Sequence, residues 1–423
     1  MPAVAAWQQA GEQAATRSAL VEAVEHYNRA LEVLGTLPDT PARAQQELAL
    51  QVALGHALFV TKGWASREGA EAFARVRELS EQLGDTQQIL LVLLGLWVSA
   101  YTRGEARAAQ ELADQMLRVA ERDSTPGTLV WAHVAQGATR YERGDLIAAR
   151  EHLERAIAVY DEEEYRSGLP DPGCTGHFLR ALAAWQLGLP DEARQRIREA
   201  LDHAQRLEKA YDLALTQFAA ASLHVYLRES HGVLKYAEPL LQLATEQQFA
   251  LFHAWASILR GWALAEQGRH DEGIAELRQA LAEYLATGQR TAHGQNLGLL
   301  ADAYLKAGAD AEGLAAVEDA LGAVPEEELH IPELLRLRGD LLARAGADPH
   351  GVEASYRDAI AVARRLGAKS YELRATTSLG RLLQLQARAA EARDLLAPLY
   401  AGFTEGFDTR DLREAKALLA DLG

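Results

Sequence analysis

A chain of 423 residues is too long for one ordinary compact core, so it must fold as several domains or as a solenoid that grows in one dimension. Its 48% hydrophobic content suffices for a continuous core and is too high for a disordered chain; 60 acidic against 43 basic residues give a net charge of −17, which repels nucleic-acid backbones and anionic membrane surfaces. The single cysteine, Cys174, excludes an intrachain disulfide and a cysteine-based zinc cluster, reads as a small buried apolar side chain, and fits a reducing, cytoplasmic setting.

From the N-terminus, MPAVAAWQQAGEQ lacks the basic region and apolar core of a signal peptide. Helical turns are expected at Thr16-Arg17 and Lys62-Gly63. The longest apolar run, Ile89 to Ala100, falls short of the ~20 residues a spanning helix needs. From there one phrase recurs: a turn residue, a small residue five positions on, and another seven beyond. It reads Gly104, Ala109, Met116; Gly144, Ala149, Ala156; Gly188, Ala193, Ala200; Gly268, Gly273, Ala280; Gly308, Gly313, Ala320; and Ala387, Ala392, Leu399. Glu229 heads a degenerate copy, and Gly346 heads one with an inserted residue that ends in Tyr356 and Ala359. The acidic run from Asp161 to Tyr165 reads as a solvated connection between hairpins.

Each element of the phrase has a physical reason. Apolar residues at three- and four-residue spacing give amphipathic helices, glycine accepts the left-handed C-cap at little cost, and small residues let two helix backbones approach. One hairpin alone leaves an apolar face wet, so neighbours must cover it. The expectation is an all-α right-handed superhelical solenoid of about ten long hairpins over residues 1–402, with essentially no β-structure and with neighbours touching only through side chains. Residues 403–423 are expected to form a capping helix with Asp408 or Thr409 as N-cap, anchored on the last hairpin by Phe403 and Phe407.

Gly261, Gly268, Gly273, Leu277 and Ala280 resemble, in order, the consensus of the tetratricopeptide repeat, with glycine where alanine is usual. The period departs from it, running from 38 to 44 residues between turns against about 34 in the standard repeat, which lengthens the helices and predicts a groove with deeper walls. Thr36 to Gly55, Ile258 to Gly268 and, most specifically, Ala368 to Leu419 resemble the C-terminal repeat region of bacterial signalling ATPases of the nucleotide-cyclase and STAND type. That resemblance implies a regulatory sensor arm whose partner is a nucleotide-binding or cyclase domain. The segment from Tyr165 to Pro172 is shorter than that family leads one to expect.

No catalytic motif is present: there is no phosphate loop, no H-E-x-x-H and no G-x-S-x-G, and the histidines lack metal-ligand spacing. The chain reads as non-catalytic, with no cofactor and no metal. Recognition is the expected work, and in a tetratricopeptide array the first helix of each pair lines the concave groove. Counting back three residues from each turn gives Tyr101, Tyr141, Trp185 and Tyr226, with Trp131, Phe178, Trp255 and Trp262 nearby. Later hairpins place charged residues there instead, including Asp302, Lys306, Glu333, Arg336, Asp340, Arg344, Arg374 and Arg381. A shift of one residue would move the tyrosines from groove to core, and intrahelical pairs such as Glu333 with Arg336 would make the charged set a solvated face. Two functions follow: a scaffold that takes a protein or peptide in a long open groove, or a sensor that closes an aromatic pocket on a sugar-like or flat metabolite.

Overall fold

In a computed structural model of the chain, the structure describes residues 2–17, 19–63, 65–83, 89–123, 126–165, 170–323 and 328–423. No strand occurs among them. Among the described residues the chain folds as ten consecutive helical hairpins and a terminal helix, which is the all-α right-handed superhelix the repeats predict. The first five hairpins are α1 (Pro2–Thr16) with α2 (Leu20–Gly35), α3 (Pro41–Lys62) with α4 (Arg67–Leu83), α5 (Ile89–Thr102) with α6 (Ala106–Asp123), α7 (Pro126–Glu142) with α8 (Leu146–Ala158), and, after the short α9 (Glu162–Tyr165), α10 (Pro172–Gln186) with α11 (Pro190–Leu207). The next five are α12 (Ala210–Tyr226) with α13 (Ser230–Glu246), α14 (Ala250–Glu266) with α15 (His270–Ala286), α16 (His293–Ala307) with α17 (Asp310–Ala323), α18 (Ile331–Arg344) with α19 (Pro349–Leu366), and α20 (Lys369–Leu385) with α21 (Ala389–Ala401). Helix α22 (Arg410–Asp421) ends the chain, and part of the connection from Tyr165 to Pro172 lies outside the described residues.

The turn residues act as their chemistry requires. Gly104, Gly144, Gly188, Gly268, Gly308 and Gly346 all hold positive φ, the conformation that ends the first helix of each pair. In the sixth hairpin the left-handed residue is Arg228, at φ 59°, and not Glu229. It lies two residues past the end of α12, as Gly188 lies two past α10, but without glycine it carries no signature by which to fix that register. The small residues mark the crossings: Ala109, Ala149, Ala156, Ala193, Ala200 and Ala392 have no exposed surface. Between α14 and α15 the approach is backbone to backbone, since a Cβ on Gly273 would lie 2.5 Å from the Gly261 carbonyl oxygen.

The winding overturns one expectation. Among the described residues the deep open groove is narrowed, because hairpins two to five each meet the hairpin, or the connection into the hairpin, five places further on. A Cβ on Gly63 would lie 3.6 Å from Thr287, and one on Gly144 would lie 2.7 Å from Leu366, so hairpin two meets seven and hairpin four meets nine. Ser370 Oγ donates to the Trp185 carbonyl at 2.5 Å, joining hairpins five and ten. Hairpin three meets the connection into hairpin eight through main chain, since the Arg290 and Thr291 N–H groups donate to the Thr102 carbonyl at 2.8 and 3.2 Å. Contacts between turns are thus not restricted to side chains. The cause is the apolar inner face of the first helices, which removes more surface from water by closing on itself than by lining an open channel.

Helix α22 packs on the last hairpin through Leu412, Ala415 and Leu418, with Phe403 6% exposed beneath it. Phe407 is 50% exposed and only leans on Tyr400, so it is not the anchor its aromatic ring suggested. The terminal segment also reaches back across the superhelix. Glu405 accepts from the Asp191 and Glu192 N–H groups at 2.8 and 2.9 Å, filling orphan donors at the start of α11, while Arg194 bonds Asp408 at 3.1 Å and Arg410 bonds Glu266 at 2.6 Å.

A candidate binding chamber inside the superhelix

Closure converts the groove into a chamber of about 160 Å³. It is lined by the first helices of hairpins three to eight, with Gln289, Thr291, Ala292 and His330 from the connections. Tyr101, Trp131, Tyr141, Phe178, Tyr226 and Trp255 come together there, so these aromatic candidates share one site. Because the groove is closed, groove and core are the same place: Tyr141 and Tyr226 are buried, with their hydroxyls 3.4 Å apart, and still line the chamber.

Two aromatic candidates lie elsewhere. Trp185 is buried between turns, stacked on Tyr226 at 4.8 Å and edge-on to Tyr371 at 5.3 Å, with the Arg374 guanidinium 5.2 Å over its ring. Trp262 donates to Asp302 at 2.8 Å, with Lys306 above its ring, in an adjoining polar cavity. Sequence reasoning missed Trp97, Tyr211, Phe218, Glu142, Gln295 and Asn296 as chamber residues. Helical periodicity from Tyr101 back to Trp97, and from Tyr226 back to Phe218, carried that signal for the aromatics; nothing in the local sequence marks Glu142.

The charged half is an internal network. Arg336 pairs with Glu333 at 2.7 Å and with Asp340; Arg374 pairs with Asp411 at 2.6 Å and Glu333 at 3.3 Å, and donates to the Tyr226 carbonyl. Lys306 pairs with Glu266 at 2.5 Å and with Asp302; against the opposing effect of burial, the lysine holds the Asp302 carboxyl down at about 2. Arg344 sits apart, donating to the Leu305 carbonyl at 2.7 Å and pairing with Asp310 at 3.2 Å. Arg381 is half exposed and pairs with Glu414 at 2.9 Å. These cations are answered by the chain's own carboxylates.

The chamber's polar groups are fewer and less satisfied. One oxygen of Glu142 accepts from the Tyr101 hydroxyl at 3.1 Å, and the other is buried without a partner. Burial pushes this carboxyl up to about 7, against the lowering effect of the Tyr101 bond. Gln289 Oε1 and Asn296 Nδ2 are likewise buried without partners, while Gln295 donates to the Tyr226 hydroxyl at 3.2 Å. His330 is held near 4 by burial and is therefore neutral at physiological pH.

Among the described residues, Asp171, Cys174 and His203 bring donor atoms within 4.8 Å of one another. The carboxylate is already engaged: it caps the Cys174 N–H at 3.0 Å, accepts from Tyr160 at 2.7 Å and lies 3.3 Å from His203. Burial pushes the Cys174 thiol up, away from the thiolate a metal needs. This trio ties α10 to α11 and the turn before it.

No protein-family profile matches the chain. An uncharacterised protein of Rhizobium meliloti is 26% identical over 401 residues, covering 88% of this chain and 37% of that protein, so the chain spans little more than a third of that relative's length. Among solved structures, a Rap protein complexed with Competence and Sporulation Factor superposes over 89% of this chain and 97% of its own, with TM-score 0.53 and 16% identity. The apo form of the quorum sensor NprR from B. thuringiensis covers 85% of this chain and 99% of its own, with TM-score 0.50 and 14% identity. At these identities the likeness is one of fold, and it places the chain among tetratricopeptide-like solenoids.

Proposed function

We propose that the chain is a non-catalytic recognition arm that captures a short segment of a protein partner inside its superhelix, with an apolar anchor seated in the aromatic chamber. One observation carries this reading: the chamber has aromatic walls and unpartnered polar atoms, while the arginines next to it are consumed by internal pairs. Six hairpins contribute to the lining, so an occupant bears on the winding of the whole coil, which is how recognition would reach an attached domain. The Rap structure, solved with a bound factor, and the quorum sensor NprR share the fold and are consistent with such a role.

The finer reading is that the arm regulates a nucleotide-binding ATPase or cyclase domain. It is supported by the resemblance of Ala368 to Leu419 to such repeat regions and by the greater length of the Rhizobium relative. A second reading, a small-molecule sensor, draws on the free volume of the chamber, about 160 Å³, which suits a small apolar ligand. Panning random displayed peptides on the chain tests the first reading. Enriched peptides should share an apolar anchor and lose at least tenfold in affinity on Trp255→Ala. Peptides that bind Trp255→Ala as well as the parent would refute chamber capture.

A further inference from the structure

The chamber has two unlike ends. Trp131 and Glu142 both belong to α7, and the eleven residues of rise between them separate their levels by about 16 Å. The first halves of α7, α10, α12 and α14 give the Trp131 end a mostly aromatic lining, with Trp131, Phe178, Tyr211, Phe218 and Trp255 and the single hydroxyl of Thr175 beside them. Trp255 stacks on Phe218 at 4.3 Å. At the level of Glu142 the lining turns polar, with a carboxylate, the buried and unpartnered Gln289 Oε1, and the hydroxyls of Tyr101 and Tyr226. Among the described residues no lysine, arginine or histidine pairs with Glu142, whereas Glu266, Asp302, Glu333 and Asp411 on the inner surface each have a cation.

A carboxylate left without a cation in an aromatic enclosure is an incomplete site. Its complement carries positive charge and several N–H donors, fits among aromatic rings whose faces attract cations, and brings an apolar tail for the far end. We infer that the chamber binds a primary ammonium carried on an apolar tail, the ammonium against Glu142 and the tail running along α7 towards Trp131 and Trp255. The inference rests on the chamber being the binding site and adds the chemistry of its occupant. Two sources supply that chemistry: the free N-terminus of a peptide whose first residues are apolar, and a small alkyl or aralkyl amine.

The titratable groups around Glu142 are Tyr101 from α5, Tyr141 on its own helix, Tyr226 from α12 and the neutral His330. None is cationic at neutral pH, so ionisation of Glu142 sets the pH dependence. An alkylammonium, charged throughout, should bind more tightly as pH rises from 5.5 to 8, whereas a peptide N-terminus, which itself loses its proton at about pH 7.7–8, should bind best near neutrality.

The test is calorimetric titration of the whole chain with hexylamine, hexanol and hexanoate, and with Phe-Leu-Gly-Gly-Gly carrying a free or an acetylated N-terminus. Hexylamine should bind at least tenfold more tightly than hexanol and hexanoate. Glu142→Gln, with its helical circular dichroism unchanged, should abolish that preference and its pH dependence, bringing hexylamine to the affinity of hexanol. Trp255→Ala should weaken hexylamine and hexanol together. A free peptide that outbinds hexylamine, with loss on acetylation, assigns the site to a peptide N-terminus; the reverse order assigns it to a small amine. Equal affinity for hexylamine and hexanol, or an amine preference that survives Glu142→Gln, overturns the ammonium while leaving apolar capture standing. Failure of every probe, with chamber-dependent peptides still recovered by panning, also overturns it.

Discussion

Gly268 and Gly351 separate two roles that the same residue plays in this chain. A Cβ at either would meet nothing within 4 Å, but Gly268 holds φ +86° and Gly351 is helical. Gly268→Ala should therefore destabilise by about 1–2 kcal/mol through left-handed strain alone, and Gly351→Ala should stabilise by up to about 1 kcal/mol, both read from urea midpoints. The turn glycines were legible in sequence because their conformation is a local property. Glu142 was not, because its burial depends on hairpins distant in the chain. Its folded carboxyl titrates near 7, above its ordinary value, so the native state retains a proton that the unfolded chain has lost. That contribution is present in full below about pH 4.5 and is lost as pH rises to about 7. Glu142→Gln should accordingly flatten the dependence of stability on pH in this window and gain most above it. An unchanged pH profile would mean that Glu142 is solvated.

At the scale of helices and their pairings, crossings without room and charges without water decide most. A Cβ at Gly273 would run into the Gly261 carbonyl and into the Ala265 nitrogen at 2.7 Å, neither of which can rotate away, so α14 and α15 must separate. Gly273→Ala should cost about 1–3 kcal/mol, opposite in sign to Gly351→Ala although both sites are helical. Among the arginines, Arg374 is 9% exposed; its loss leaves Glu333 with Arg336 and Asp411 with Arg228 but removes the donor to the Tyr226 carbonyl and one charge-assisted partner from each carboxylate, so Arg374→Ala should cost about 2–3 kcal/mol. Arg381→Ala, at a half-exposed pair, should cost about 1 kcal/mol or less by the same denaturation assay. Both residues were found at inward-facing positions from the period alone. That they answer carboxylates rather than a partner was not legible, since Asp411 and Glu414 belong to the terminal helix that closes over them.

For the whole molecule, hairpin number and order are local consequences of the repeated phrase and were readable from it. The winding is not: it follows from long-range contacts such as Arg290 with Thr102, Ser370 with Trp185 and Arg194 with Asp408. Removing residues 403–423 deletes the Glu405 and Asp408 contacts and uncovers the last hairpin. The truncated chain should show a larger radius of gyration by small-angle scattering and associate as concentration rises. A truncated chain with the parent's radius would place closure in the other seams. Whether the closed interior is where recognition occurs can be read from a peptide selected on the chain and resynthesised with a photo-crosslinker at its apolar anchor, with the attachment point located by mass spectrometry. Attachment to residues around Trp131, Phe178 or Trp255 is the expected result. Attachment to the outer helices, for example near the exposed Ile147 on α8, would contradict capture inside the superhelix.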